Sequence, residues 1–191
     1  MRCSRPAPLL VAAVLSAGPP VLAAARPLEI GQSVPDFEAT TLRGDVVALD
    51  AALPTHKAVV VVFLSSVCPY ARYFASHLRD LAARDGPRGV LFVGVNSNNW
   101  ETPDEVVEDA RKNGFAFAMV KDEHHVIADR LGASRTPEAF LVDSMGRLRY
   151  RGWVKSKQGS PDLQHAIDAV LDGRAVPRPL TKAFGCAMDR Y

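Results

Sequence analysis

The run Ala58-Val59-Val60-Val61-Val62-Phe63-Leu64 constrains this chain more than any other feature. It is β-branched and apolar at every position rather than at every second one, so it reads as a strand buried on both faces. The segment from Pro69 to about Ala83 reads as a helix with Pro at its first position. Cys68 therefore sits where a buried strand hands over to a helix N-terminus. Unpaired N–H groups and the helix dipole favour an anion there, which lowers a thiol pKa and makes the sulfur nucleophilic. The competing reading is an inert buried thiol at a strand end. A redox protein often carries a second cysteine at position 71. Here that residue is Ala71, so any partner must come from elsewhere.

Residues 1–25 read as a cleaved secretory signal. Arg2 and Arg5 precede a short apolar core from Leu9 to Leu15, and Ala23-Ala24-Ala25 offers a small-residue cleavage site. The stretch is short and broken by Gly18-Pro19-Pro20, which argues against a membrane span; an uncleaved anchor is the main rival. Removing it leaves one ordinary domain, residues 26–173, and a tail, 174–191. The chain has 23 basic and 21 acidic side chains, and loss of Arg2 and Arg5 makes the two equal. That balance gives no reason to expect nucleic acid or an anionic membrane as a partner. Cys3 leaves with the signal, so Cys68 and Cys186 remain. An even pair in an exported protein suggests a disulfide or a redox couple.

Along the chain, Phe37 to Leu49 reads as a hairpin around Leu42-Arg43-Gly44-Asp45. Val90 to Val95 is a second buried strand. Thr102-Pro103-Asp104-Glu105 starts a helix that runs to about Asn113 and ends at Gly114. Phe115 to Val120 is a short strand, and Asp122 caps a helix from about His124 to Leu131. Glu138 to Val142 and Arg147 to Val154 are strands joined by a turn, and Asp162 to Leu171 is the last helix. Strands alternating with helices imply an α/β fold with a parallel centre, and the late hairpin adds antiparallel strands. The expected architecture is a mixed β-sheet with helices on both faces.

Three segments together resemble the thioredoxin superfamily. Val62-Phe63 through Ala71 lines up on the strand and active-site turn, with Cys68 at the first cysteine. Ser134-Arg135-Thr136-Pro137-Glu138 looks like the Thr-Pro loop, and Val142 to Arg147 like the hairpin turn after it. Within the superfamily, Gly31-Gln32-Ser33-Val34-Pro35-Asp36-Phe37 and Leu42-Arg43-Gly44 are similar to the N-terminal hairpin of the alkyl hydroperoxide reductase and thiol-specific antioxidant branch. Gly94 to Asn98 with Glu101-Thr102-Pro103 is similar to that branch's inserted strand and helix. Phe184-Gly185-Cys186-Ala187-Met188 resembles the Gly-Cys tail of its peroxiredoxin-like, or redoxin-domain, members. Two departures stand out. A peroxiredoxin loop has Pro seven residues before its cysteine, where this chain has Val61, although Ser65 matches. A classical disulfide reductase has a second active-site cysteine where this chain has Ala71.

The resemblance implies a thioredoxin-like fold and a thiol-based oxidoreductase that needs no cofactor and no metal. Cys68 would be the nucleophile and Cys186 a resolving thiol from a flexible tail. Pro137 would be cis, with Thr136 supplying a backbone edge to substrate. Arg135 would stabilise the Cys68 thiolate or bind an anionic oxidant, and Tyr70 would shape access to the thiol. Substrates would be a thiol or disulfide protein or a hydroperoxide, with an external dithiol as reductant. Two alternatives stay open. One is a non-catalytic binding module whose Cys68–Cys186 disulfide pins the tail. The other is a metal carrier using Cys68 and His124 or His125, although adjacent histidines point in different directions.

Overall fold

The computed structural model describes residues 27–156 and 158–189. The expected signal at 1–25 lies outside the described residues. A hairpin comes first, with β1 (Glu38–Thr40) antiparallel to β2 (Val46–Ala48). The second strand is shorter than the sequence predicts, because Leu49 opens a one-turn helix, α1 (Leu49–Ala52), and turns inward. Next come β3 (Ala58–Phe63), α2 (Pro69–Asp85), β4 (Val90–Asn96) and α3 (Pro103–Asn113). They are followed by β5 (Ala118–Lys121), α4 (Val126–Leu131), β6 (Arg135–Thr136) and β7 (Glu138–Asp143). The last elements are β8 (Leu148–Gly152), α5 (Asp162–Leu171) and β9 (Cys186–Ala187).

The central sheet has the order β5-β4-β3-β7-β8. β3 is parallel to β4 and β4 to β5, whereas β7 is antiparallel to both β3 and β8. This is the expected mixed α/β sheet, and β3 lies at its centre. Alternate residues of β3 feed two cores. Ala58, Val60 and Val62 pack with Ala75, Leu78, Val106 and Ile167 from α2, α3 and α5. Val59, Val61 and Phe63 pack with Phe37, Leu49, Ile127 and Leu131 on the opposite face. Both faces of β3 are dry, which is why its sequence is apolar without alternation. Each fully buried valine contributes about 1.5–3 kcal/mol.

Local signals set the helix ends. Thr102 accepts from the Glu105 backbone N–H, and the Glu105 carboxylate accepts from the Thr102 N–H at 2.8 Å, a closed capping box. Gly114 ends α3 in the left-handed region at φ 68°. Helix α4 begins later than predicted. The Asp122 carboxylate accepts from the Ile127 and Ala128 N–H groups, so it does cap the helix, but the chain must first turn through His125 at φ 55°. His124 is exposed and His125 buried, so the two side chains part. The predicted strand at Phe115 likewise starts late, at Ala118, because Phe115 and Phe117 stack 4.8 Å apart inside the core. Among the described residues, no helix is long and apolar enough to cross a membrane.

Candidate active site

Cys68 is the residue before the first turn of α2, with Pro69 opening the helix. Its side chain is wholly buried. The sulfur donates to the Thr136 carbonyl at 3.1 Å. Thr136 precedes Pro137, and the peptide bond between them is cis, as the resemblance implies. The two segments meet because β3 and β7 are neighbours in the sheet. Phe63 at the end of β3 lies opposite Glu138 at the start of β7, so the loops beyond them share one edge.

The tail, expected to be flexible, is laid along the molecule instead. Pro179 and Thr181 bond the backbone of Arg151 on the outer strand β8, and Tyr150 Oη and Thr181 Oγ1 lie 2.8 Å apart. Gly152 makes this possible, since a Cβ there would come within 1.9 Å of Thr181 Oγ1. Phe184 then meets Tyr70, Phe74 and Trp153 edge-on, at ring separations of 5.5, 5.9 and 5.6 Å. β9 pairs antiparallel with β6, with Thr136 opposite Cys186 and Arg135 opposite Ala187. The Met188 N–H donates to Ser134 O at 3.0 Å, and the Asp189 N–H to Asn98 Oδ1 at 2.9 Å. The register sets Cys186 beside Cys68, close enough for each thiol to shift the ionisation of the other, and both are free thiols.

The two sulfurs have opposite character. Burial opposes ionisation of Cys68, but the Cys186 thiol, the Ala71 backbone N–H and the Thr136 hydroxyl all favour its thiolate. Together they hold the Cys68 thiol below its ordinary value. The Thr136 hydroxyl is buried and makes no hydrogen bond among the described residues, which leaves it free to turn toward a Cys68 thiolate. For Cys186, burial comes first, then the hydrogen bond to Cys68 and the negative charge there, and they push it up to about 11. Their surroundings favour the negative charge on Cys68 and the proton on Cys186.

A buried polar network fixes the loop before Cys68. The Glu101 carboxylate accepts from the Ser66 backbone N–H at 2.6 Å and from the Ser66 hydroxyl. It also accepts from Asn96 Nδ2 at 3.0 Å and Asn98 Nδ2 at 2.9 Å. Lys121 donates to Asn96 Oδ1 and to the Asn98 carbonyl. Burial holds the Lys121 ammonium below its usual range, against the pull of Glu101. Arg72 Nε donates to Ser66 O at 2.8 Å from the helix side. Asn98 thus joins the pre-Cys68 loop to the end of the tail.

The structure therefore gathers Cys68, Cys186, Thr136, Pro137 and Tyr70 in one place. Arg135 is there too, but its Nη1 donates to Gly185 O at 3.1 Å, so its guanidinium seats the tail. Trp153 lines the Phe184 slot, while Trp100 is largely exposed. Among the described residues, no group of three or more His, Cys, Asp and Glu side chains is placed to hold a metal. Sequence reasoning assigns no role to Glu101, Phe184 or Met188. The alternation Phe184, Cys186, Met188 is a visible period-two signal, but too short to stand alone.

Comparison with known proteins bears on the family and the fold. The chain is 28% identical over 123 residues to the thiol:disulfide interchange protein DsbE of Yersinia pestis, a stretch that covers 64% of this chain and 63% of that protein. Among solved structures, a hypothetical protein from Sinorhizobium meliloti 1021 matches with TM-score 0.79 and 28% identity, over 87% of this chain and 96% of that one. The thioredoxin domain of a thiol-disulfide oxidoreductase from Bacteroides vulgatus matches with TM-score 0.63 and 18% identity, over 75% and 99%, a likeness of fold alone. The AhpC/TSA family model matches residues 30–151, which include Cys68, the cis Thr136-Pro137 bond and the central sheet as far as Arg151 in β8. With its thioredoxin-like sheet, this chain belongs to the AhpC/TSA family.

Proposed function

We propose that this chain is an exported thiol-based oxidoreductase in which Cys68 and Cys186 form one redox couple. The observation that carries this reading is the register of β9 on β6, which sets Cys186 opposite Thr136, whose carbonyl accepts from Cys68. The tail supplies from afar the second thiol that position 71 lacks. Export rests on the sequence of residues 1–25.

The Cys68 thiolate attacks one sulfur of a substrate disulfide, forming a mixed disulfide and releasing the other sulfur as a thiolate. With a hydroperoxide, it attacks the terminal oxygen, forming a sulfenic acid and releasing an alcohol or water. Either product removes the negative charge from Cys68. The charge that held Cys186 protonated is then gone, so Cys186 ionises more readily and attacks Cys68 Sγ. That step forms the Cys68–Cys186 disulfide and expels the substrate thiolate or hydroxide. An external dithiol then reduces the disulfide and restores both thiols. Electrostatics sets the order of events: Cys68 first, Cys186 second.

The test is to reduce the full chain, add substoichiometric hydrogen peroxide or oxidised glutathione, and map the bonds by peptide mass spectrometry. The expected product is a Cys68–Cys186 disulfide, with Cys186→Ser accumulating the glutathione mixed disulfide or over-oxidised Cys68. A Cys68 that stays a free thiol overturns the proposal. A binding-module reading draws on one observation, that Phe184, Met188 and Thr181 anchor the tail without sulfur chemistry. In that case Cys186→Ser lowers stability and traps nothing.

A further inference from the structure

Residues 184–188 are bound as a peptide ligand is bound. Strand pairing comes from Thr136 opposite Cys186, Arg135 opposite Ala187 and the Met188 N–H on Ser134 O. Side-chain recognition comes at alternate positions. Phe184 fills the slot of Tyr70, Phe74 and Trp153; Cys186 meets Cys68; Met188, 7% exposed, enters the core beneath β3. Ala187, between the last two, faces outward. Gly185 is required where it stands, because its φ is +150° and a Cβ would come within 2.1 Å of Thr136 O. An added strand with pockets for every second side chain is a general mode of peptide recognition.

We propose that this groove is a binding site for an extended segment of another polypeptide, one carrying an aromatic residue, a cysteine and a long apolar residue at alternate positions. The chain's own tail is the competitor that must lift before that segment enters. Two observations lead there. With the tail down, Cys68 has no exposed surface, so no polypeptide disulfide can reach it. And the tail is paired through a strand of only two residues, its Phe184, Gly185 and Cys186 only half-buried. The inference rests on the redox reading for its sulfur step alone. The partner's disulfide is cleaved by the Cys68 thiolate, which leaves the partner's cysteine bonded to Cys68 in the groove and its other sulfur free as a thiolate. The returning tail brings the Cys186 thiolate onto Cys68 Sγ, breaks the mixed disulfide and takes back the groove. The partner leaves with two thiols, and the chain keeps its two as a disulfide. Being tethered, the tail re-enters at a high effective concentration, so chemical resolution and physical eviction are one event.

The test uses a fluorescently labelled synthetic peptide spanning residues 182–189 with Cys186→Ser, so that no sulfur chemistry takes part. It is titrated against the reduced full chain and its Phe184→Ala and Gly185→Ala variants, with binding read by anisotropy. Loosening the tail should tighten peptide binding by at least ~10-fold over the wild type. A peptide that also carries Phe184→Ala should bind at least ~10-fold more weakly. Should either variant fold poorly, the wild type carries the test: saturating peptide should speed iodoacetamide alkylation of Cys186 by displacing the tail. Equal affinity for loosened and wild-type chains, no binding to any, or no acceleration at saturation overturns the proposal. A dimer that the peptide dissociates would make a second copy's tail the occupant and overturn the assignment to another polypeptide. If binding fails while peroxide still yields the Cys68–Cys186 disulfide, only the polypeptide partner is lost and the redox couple stands.

Discussion

Two thiols in contact titrate as a pair, and the side that takes the charge first is set by what surrounds it. Cys68 has the helix amide of Ala71, the Thr136 hydroxyl and the Cys186 thiol on its side. Cys186 has burial and a neighbouring charge against it. In reduced protein without residues 1–25, and hence without Cys3, thiolate absorbance near 240 nm should therefore rise in two separate steps, the first below the ordinary thiol value and the second near 11. Cys186→Ala should remove the second step and shift the first upward, because Cys68 loses a donor. A single step at the ordinary value would contradict the geometry. The two thiols also tie stability to pH in opposite directions. Cys68 ionises more easily folded than unfolded, so its contribution is present above the unfolded value and is lost as pH falls through the folded one. Cys186 does the reverse: its contribution is intact below the unfolded value and is lost as pH rises toward 11.

At the scale of the element, much of this chain is written locally. Helix α3 carries its own instructions: Thr102 and Glu105 close the N-terminus, Pro103 takes the first position, and Gly114 supplies the left-handed exit. Thr102→Ala should cost about 1 kcal/mol, measured as a shift in the urea midpoint with unchanged slope. Strand β3 is equally legible, since valines buried on both faces leave no other reading. Helix α1 is invisible in the sequence because one helical turn has no period to detect, and only the fit of Leu49 under the sheet holds it. Strands β6 and β9 are hidden for a different reason. Two residues make no pattern, and each is a strand only because the other is there. Part of the site is therefore legible. Cys68 is marked by its flanks and Pro137 only by the resemblance of its segment to a Thr-Pro loop, but Glu101 is not marked at all, since a carboxylate next to a helix cap looks solvated until Ser66, Asn96 and Asn98 close around it.

For the molecule as a whole, the tail ties the outer strand β8, the N-terminus of α2 and the Thr136 loop together without any covalent bond. Oxidation would add one between residues far apart in sequence. The Cys68–Cys186 disulfide should stabilise the chain by about 2–4 kcal/mol, mainly by restricting the unfolded state. Urea unfolding of the oxidised protein, compared with the same protein in excess dithiothreitol, measures it. A difference near zero would mean that the tail unfolds independently of the sheet. A buried ion pair works at the same junction. Arg151 Nε bonds Glu138 Oε1 at 2.8 Å, while Glu138 Oε2 accepts from the Ser134 N–H. β8, which carries the tail, is thus braced against the loop that the tail covers.

The sequence by itself determined the covered mixed sheet, most element boundaries, and a thiol at a strand-to-helix junction. These depend on burial pattern, caps and turns, whose causes lie within a few residues of their effects. Tertiary structure alone decided where Cys186 goes. A tail with no apolar run has no conformation of its own; it acquires one only when an aromatic slot, a backbone edge and a pocket for Met188 stand at the spacing of alternate residues. That spacing is set by β3, β7 and α2 packing together, and it turns two cysteines distant in the chain into neighbours.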